Sequence, residues 1–315
     1  MLETIRSWPK AELHLHLEGS IEPQTLLEIE PSLDLAEVEE RLRFENFAGF
    51  LKSYISVNKL LTKPEHYAIA THRMLESLES QGVVYAEVNL SVGVVLWKEQ
   101  DFAPIFDAIT AAAEGHAVQV RWIFDGVRQF GPDHVQRVAE LAVAYRDRGV
   151  VALGIGGDEV NGPSSWFVEI FRWARSNGLH AVPHAGETSG PASVWGALEL
   201  GARRIGHGIR SIEDPVLVRH LRDQRIPLEV SVTSNVLTGA VPSLAAHPVR
   251  KLYDAGVPIV LNTDDPALFR TNLLNEYLVA VNEFGFSLDQ LRDLANLSLD
   301  SALDFNVSAQ PSKSS

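Results

Sequence analysis

The chain has 315 residues, of which 45% are hydrophobic, and 27 Lys and Arg residues stand against 41 Asp and Glu residues, which gives a net charge of −14. It contains no cysteine, which excludes disulfides, cysteine-ligated metal sites and cysteine nucleophiles. The acidic balance argues against a nucleic-acid partner, because phosphate binding needs clustered Lys and Arg. The length allows two domains of about 150 residues or one α/β barrel of about 250 residues with insertions.

The N-terminal segment and the apolar runs bear on the location of the protein. Residues 1–6 (MLETIR) carry charge early and lack the apolar stretch of a secretory signal. No uninterrupted apolar run approaches the roughly 20 residues that span a bilayer. We therefore expect a cytoplasmic protein without membrane association. The sequence leaves the oligomeric state open.

Eight short apolar runs, most of them rich in β-branched residues, follow one another along the chain. They begin at Ala11, Val83, Ala117, Val150, His180, Arg204, Pro227 and Pro258. Strands at such intervals, with helical patterns between them, are typical of βα units and a parallel sheet. Eight units predict a single (β/α)₈ TIM barrel of the α/β class over residues 1–307, and residues 308–315 are expected to form a flexible tail.

Helical patterns lie between the runs. Residues 132–148 and residues 164–177 each place apolar side chains on one helical face, and Gly178 follows the second segment as an expected C-cap.

The first interval, from Ala11 to Val83, is too long for one crossover helix. Within residues 44–62, the aromatic residues Phe47, Phe50 and Tyr54 stand at i, i+3 and i+7, which predicts a helical insertion after strand 1. Such a helix could pack on the outside of the barrel, or it could also cover the barrel mouth and wall a pocket.

Titratable residues stand at the ends of several predicted strands. His14 and His16 are separated by one residue, so in a strand they point to the same face. His184, His207 and Asp264 lie at or near the ends of later runs. Because parallel barrels build their sites at the C-terminal ends of strands, we expect all five to converge. His14, His16, His184 and Asp264 then make a plausible Zn²⁺ shell.

The remaining titratable residues divide into two groups. Glu187, His207 and Asp265 are left for proton transfer and orientation, which a metal-activated hydrolysis needs. His180 starts a strand at the opposite end and is expected to be structural. Most of the other histidines are expected to face solvent: His66, His72, His116, His134, His220 and His247.

Six motifs in order carry a resemblance to a known family. They are PKAELHLHLEGS (9–20), GIGGDE (154–159), HAGE (184–187), GHG (206–208), TSN followed by LTGA (233–240) and NTDDP (262–266). Over nearly its whole length the chain resembles the adenosine deaminase family of the amidohydrolase superfamily. Two-metal barrels of similar type often bridge their ions with a carboxylated lysine late in strand 4, and this strand (VALGIGGDEV) has no lysine. One zinc ion per chain is therefore expected.

The resemblance implies roles for the residues around the zinc. His14, His16, His184 and Asp264 would bind the ion, and His16 would also contact the substrate. Glu187 would protonate N1 of a purine. His207 would orient the zinc-bound water and help to deprotonate it, with Asp264 contacting the same water.

Three further residues would bind the substrate. Asp265 would bond to purine N7, the backbone of Gly157 would meet N3, and Glu18 would lie on the ribose side. Each has a structural alternative: Asp265 as a helix N-cap, Gly157 as a strand-end glycine, and Glu18 as a helix-capping or supporting group. The two reacting groups have alternatives of the same kind. Glu187 could be a surface carboxylate, and His207 could be a strand-end histidine bonded to backbone.

The implied activity is zinc-dependent hydrolytic deamination of a 6-aminopurine nucleoside. Adenosine or deoxyadenosine is the first expectation, the bulkier 6-aminodeoxyfutalosine of menaquinone biosynthesis the second, and free adenine the third. Differences from the family pattern at Glu18, Ser231–Val232, Asn89–Ser91 and the apolar run 92–97 leave the substrate open. Another amidohydrolase reaction and a non-catalytic binding protein on the same scaffold are the alternatives from other classes.

Overall fold

The computed structural model describes residues 1–305, so the tail predicted over residues 308–315 lies outside the described residues. Eight strands form, one within each predicted apolar run or starting at its edge. They are β1 (Lys10–His16), β2 (Val83–Leu90), β3 (Gln119–Val127), β4 (Val150–Gly156), β5 (His180–Ala185), β6 (Ile205–His207), β7 (Leu228–Val230) and β8 (Ile259–Leu261). Each strand pairs in parallel with the next along the chain.

The barrel closes between β8 and β1, at the NTDDP motif. The backbone N–H of His16 donates to the carbonyl of Asp264 at 2.8 Å, and the N–H of Asp264 donates to the carbonyl of His14 at 2.9 Å. Two residues before Asp264, the side-chain oxygen of Asn262 accepts from the N–H groups of Leu13 and His14 at 2.8 and 3.1 Å. The predicted (β/α)₈ barrel is confirmed, and the hydrogen bonds between β8 and β1 involve three predicted metal ligands, His14, His16 and Asp264.

Sixteen α-helices lie within residues 1–305. They are α1 (Leu2–Ser7), α2 (Pro23–Ile29), α3 (Leu35–Arg41), α4 (Phe47–Asn58), α5 (Pro64–Ser80), α6 (Val92–Trp97), α7 (Phe102–Ala113), α8 (Pro132–Ala144), α9 (Val168–Ser176), α10 (Pro191–Glu199), α11 (Pro215–Asp223), α12 (Val232–Leu237), α13 (Val249–Asp254), α14 (Pro266–Phe269), α15 (Leu273–Phe284) and α16 (Leu288–Asp300). None of them is long and apolar enough to cross a membrane.

The two helices predicted from periodicity are α8 and α9, each shorter than its pattern. Residues 146–148 form a separate 3₁₀ turn after α8, and residues 164–166 form one before α9. Gly178, the expected C-cap, lies one position further out: Asn177 caps α9, and Gly178 follows with a φ of +91° that favours glycine.

The insertion after β1 contains α2 to α4, followed by α5, and α4 covers part of the barrel mouth. Asn46 caps α4 by accepting from the N–H of Gly49 at 3.0 Å. The rings of Phe50 and Phe269 stack with centroids 5.1 Å apart, which joins α4 to the short helix that follows Asp265. The hypothesis that the insertion helps to wall the mouth is therefore supported by its contacts.

Candidate metal and catalytic site

Five predicted polar groups meet at the C-terminal mouth of the barrel. The imidazole centroids of His14 and His184 are 4.5 Å apart, and Nε2 of His16 lies 3.1 Å from Nε2 of His184. Oδ1 of Asp264 lies 3.2 Å from Nε2 of His14 and 3.4 Å from Nε2 of His16. His207 stands beside them, with its centroid 5.0 Å from that of His14. The five side chains that were predicted to converge from the strand ends therefore lie together in the structure.

The donor set fits a zinc ion. Donor atoms of His14, His184, His207 and Asp264 all lie within 4.8 Å of one another, and all four residues are buried. His16, which the sequence placed in the shell instead of His207, is also buried and contacts two of the four. Buried imidazole and carboxylate groups with no thiol among them suit a borderline divalent ion. The geometry alone thus offers two candidates for the third imidazole ligand.

The backbone turns sharply at two of these residues. His207 has a φ of +59° and Asp264 a φ of +68°, values that non-glycine residues seldom adopt. His207 is the last residue of β6 and Asp264 stands three residues after the end of β8, so at both positions the backbone turns at the mouth of the barrel. Gly206 is needed beside His207, because a Cβ there would lie 2.7 Å from Cε1 of His14.

A buried ion network supports His14 from below. Oε2 of Glu229 accepts from Nδ1 of His14 at 2.8 Å, which directs Nε2 toward the other ligands. Arg204 donates to Oε1 of Glu229 at 2.6 Å and also pairs with Glu87. No sequence motif pointed to these residues, although a single Glu inside the apolar run of β7 was a usable signal.

The TSN motif supplies two supporting side chains from α12. Ser234 donates to Oδ2 of Asp264 at 2.6 Å, which leaves Oδ1 facing the histidines. Nδ2 of Asn235 lies 3.0 Å from Nδ1 of His207, so His207 is bonded to a side chain and not to backbone. His247 was expected among the solvent-facing histidines, and that prediction is wrong: it is 4% exposed and contacts Asn235.

Ionisation of the cluster follows from burial and close charges. Burial lowers the pKa values of His16 and His207 to about 4, and burial followed by His14 lowers the pKa of His184 well below its usual range. Against the effect of burial, hydrogen bonds to Asp264 and Glu229 raise the pKa of His14, and the pKa of Asp264 is held low. A metal ion can bind Nε2 of His14 only when that nitrogen carries no proton, so metal binding and protonation of His14 compete.

Glu187 is fixed by a second carboxylate from the loop after β4. Glu159 accepts from the backbone N–H groups of Gly186, Glu187 and Thr188 at 2.8, 3.0 and 2.9 Å. The side chain of Glu187 is 12% exposed, so it is not a surface carboxylate, and its Oε2 lies 3.7 Å from Nε2 of His207. Burial, then Asp264 and Glu159, raise the pKa of Glu187 well above its usual value. This carboxyl group is suited to donate a proton.

Asp265 is buried and its Oδ1 has no hydrogen-bond partner among residues 1–305. It stands at the N-cap position of α14 but its side chain makes no capping bond, so the N-cap alternative does not account for it. A Cβ on Gly19 would lie 1.8 Å from Oδ1 of Asp265, which explains the glycine in LEGS. Burial and the neighbouring Asp264 raise the pKa of Asp265, so its carboxyl group is available as a donor.

Glu18 joins the insertion to the barrel. Its Oε1 accepts from the N–H of Ser91 at 3.1 Å, and its Oε2 accepts from the hydroxyl of Tyr54 at 3.3 Å. The hydroxyls of Tyr54 and Ser91 are 2.6 Å apart. These bonds fit the supporting role that was the alternative for this residue, at the edge of the same mouth.

Two more residues of interest lie near β4. Gly157 follows the strand with a φ of +95°, beside Gln129. Asp125, to which no sequence motif pointed, is buried near His184: a Cβ on Gly156 would be 3.2 Å from its Oδ2 and 3.6 Å from Nδ1 of His184. Burial raises the pKa of Asp125 to about 8.

Comparison with known proteins places the chain in a family. The sequence model described as "Adenosine deaminase" matches residues 9–310. An aminodeoxyfutalosine deaminase of Streptomyces coelicolor is 38% identical over 92% of this chain and 79% of its own. An adenine deaminase of Sinorhizobium medicae is 34% identical over 93% of each chain, and an adenosine deaminase of Escherichia coli is 33% identical over 90% of each chain.

Solved structures agree with the sequence comparison. An adenine deaminase from Arthrobacter aurescens superposes with a TM-score of 0.89 at 27% identity, over 96% of this chain and 95% of that one. An amidohydrolase from Burkholderia ambifaria with bound Zn superposes with a TM-score of 0.89 at 26% identity, over 97% of this chain and 88% of that one. The chain belongs to the adenosine deaminase family, and it is a hydrolase of C–N bonds in cyclic amidines.

Proposed function

We propose that this protein is a zinc-dependent hydrolytic deaminase of a 6-aminopurine nucleoside. One observation carries the proposal: a buried His/Asp donor set lies beside the largely buried carboxyl group of Glu187 and beside Asp265, whose Oδ1 has no hydrogen-bond partner among residues 1–305. A reaction at C6 of a purine needs these three things together: an activated water, an acid for N1 and a polar group for N7.

His14, His16, His184 and Asp264 would hold the zinc. When bound, zinc supplies Lewis acidity that lowers the pKa of water to about 7. Glu187 would give a proton to N1, because attack at C6 breaks the aromatic ring and charge builds on that nitrogen. His207 and Asp264 would position the attacking water.

The remaining residues would bind the purine and its sugar. Asp265 would donate to N7, which agrees with its raised pKa and its unpaired oxygen. The backbone of Gly157 would meet N3, and His16 would contact the substrate beside the metal. Glu18, held by Ser91 and Tyr54, would lie on the ribose side.

Among nucleosides, two observations favour a bulkier substrate of the aminodeoxyfutalosine kind over adenosine. The relative with the highest identity reported above bears that name. Trp97 is 60% exposed, and its ring stacks on that of Phe130 with centroids 5.9 Å apart and planes at 15°. These residues follow the C-terminal ends of β2 and β3, so a flat apolar substituent on the substrate could extend their stack.

A substrate panel tests the proposal. Zinc-loaded protein is mixed with adenosine, deoxyadenosine, aminodeoxyfutalosine and adenine, and ammonia and the ultraviolet shift are recorded with and without chelator. We expect metal-dependent release from at least one nucleoside, with aminodeoxyfutalosine the fastest. No release from any member contradicts the proposed function, whereas release only from adenine contradicts the nucleoside assignment.

A further inference from the structure

His207 is connected to the backbone of α13 through two buried side chains. The N–H of Val249 donates to Nδ1 of His247 at 3.2 Å, and Nε2 of His247 lies 3.2 Å from Oδ1 of Asn235. Nδ2 of Asn235 lies 3.0 Å from Nδ1 of His207. All four residues are 4% exposed or less, so each of these bonds is made inside the protein.

The backbone N–H at one end sets the direction of the whole chain of bonds. A backbone N–H can only donate, so Nδ1 of His247 must be an acceptor. Burial lowers the pKa of His247 to about 4, and a neutral imidazole has one N–H, which must then be on Nε2. That N–H donates to Oδ1 of Asn235. The amide group is thereby fixed with its NH₂ toward His207.

We propose that His247 and Asn235 are positioning residues that hold His207 in the tautomer with its proton on Nε2. Nδ1 of His207 accepts from Asn235, so the neutral ring has its only N–H on the side of the mouth. There Nε2 lies 3.7 Å from Oε2 of Glu187 and 4.0 Å from Oδ2 of Asp264. A protonated Nε2 donates a hydrogen bond and has no lone pair for a metal ion.

His14 shows the opposite arrangement. An acceptor, Glu229, lies at its Nδ1, so the neutral ring leaves Nε2 without a proton and able to bind metal. The two rings lie 5.0 Å apart and differ in their partner at Nδ1, which is an acceptor for His14 and a donor for His207. Their Nε2 atoms therefore differ in protonation. This difference selects His16 over His207 as the third imidazole ligand. It also favours His207 as a group that orients water over one that removes its proton.

Nitrogen NMR on protein labelled with ¹⁵N-histidine measures the tautomer directly, in zinc-free and zinc-loaded samples. The His207 signals are assigned by their loss in His207→Gln. We expect protonated Nε2 and unprotonated Nδ1 in the wild type. Asn235→Asp replaces the donor by an acceptor, so Nδ1 should gain a proton. His247→Gln keeps a donor and should preserve the wild-type tautomer, whereas His247→Leu should give a mixture.

A wild-type His207 with its proton on Nδ1, or an unchanged tautomer in Asn235→Asp, would overturn the proposal. The Asp and Gln variants carry the test even if the Leu variant fails to fold. His220→Gln, at a partly exposed position on α11, is the matched control and should leave the His207 signals unchanged.

The kinetic part of the inference rests on the proposed function. Asn235→Asp should lower kcat about 100-fold with little change in KM, because a misdirected proton affects the reaction more than binding. His247→Gln should restore most of the activity lost in His247→Leu. If no 6-aminopurine is deaminated, the proposed function fails while the NMR result still decides the tautomer. An equal loss of kcat in the Gln and Leu variants would contradict the positioning role.

Discussion

Oε2 of Glu229 lies 2.8 Å from Nδ1 of His14, so a carboxylate in the barrel interior sets the orientation of a predicted metal ligand. The same carboxylate binds Arg204, which also pairs with Glu87. Support of this kind fixes both the tautomer and the ring orientation of a ligating histidine. The metal site therefore extends from the mouth down into the strands.

Glu229→Gln should weaken zinc binding by about 10- to 100-fold, because the amide cannot accept from both His14 and Arg204. Competition with a zinc-chelating dye measures the affinity. Glu213→Gln, which changes an exposed ion pair with Arg210, is the control and should bind zinc as the wild type does. Equal affinities in Glu229→Gln and the wild type would show that His14 does not depend on this contact.

Glu187→Gln should lower kcat by about 100-fold or more, because the amide has the shape of the acid but no acidic proton. Zinc content should stay at the wild-type level, since Glu187 is not in the expected shell. In the wild type, kcat/KM should fall as pH rises through the raised pKa of Glu187, where the acid loses its proton. Activity of the variant near that of the wild type would remove Glu187 from the reaction.

Gly19→Ala tests the placement of Asp265. The added methyl would start 1.8 Å from Oδ1 of Asp265, so this carboxyl group must move away from the purine. We expect a higher KM and a lower kcat, measured by steady-state kinetics on the best substrate. Gly190→Ala is the matched control, because its φ is −73° and its nearest contact would be 3.7 Å away. Unchanged kinetics in Gly19→Ala would mean that Asp265 does not bind the substrate.

Asp125→Asn tests the buried carboxyl group beside His184. The pKa of Asp125 is raised from 3.8 to about 8 by burial, so between these pH values the folded state holds a proton that the unfolded state has lost. The stabilisation of the folded state by this bound proton is complete below pH 3.8. It is lost as the pH rises to about 8, by up to about 1.4 kcal/mol per pH unit.

Urea unfolding of metal-free protein at pH 5, 6, 7 and 8 measures the effect. The free energy of unfolding of Asp125→Asn should fall less steeply with pH than that of the wild type. Asp293→Asn, at an exposed position on α16, should follow the wild-type slope. Parallel curves for the wild type and Asp125→Asn would show that Asp125 is ionised in the folded protein.

The strands and the residues at their ends could be predicted from the sequence, because both depend on the periodicity of apolar residues. β-branched runs gave the eight strands, and the ends of those runs gave His14, His184, His207 and Asp264 as neighbours. Tyr54 was visible as part of an aromatic helical face, but its bond to Glu18 depends on how the insertion folds back over the mouth.

The supporting residues were not predictable in the same way. Asn235 and His247 are twelve positions apart in the chain, and only the packing of α12 against the following loop brings their polar atoms to 3.2 Å. His247 looked like a loop histidine because burial of a short segment has no periodic signal. Glu159 stood in a recognised motif, but three of its hydrogen bonds come from backbone N–H groups, which the pattern of side chains in the sequence does not indicate.

Transfer of oxygen from solvent to the purine is the most direct test of zinc-dependent hydrolytic deamination. Zinc-loaded protein is incubated with aminodeoxyfutalosine or adenosine in H₂¹⁸O, and the product is analysed by mass spectrometry beside the ammonia released. We expect one ¹⁸O in each product molecule, one ammonia per product, and loss of both when zinc is removed or Glu187 is replaced by Gln. Product without ¹⁸O, or undiminished turnover in the zinc-free protein, would contradict it.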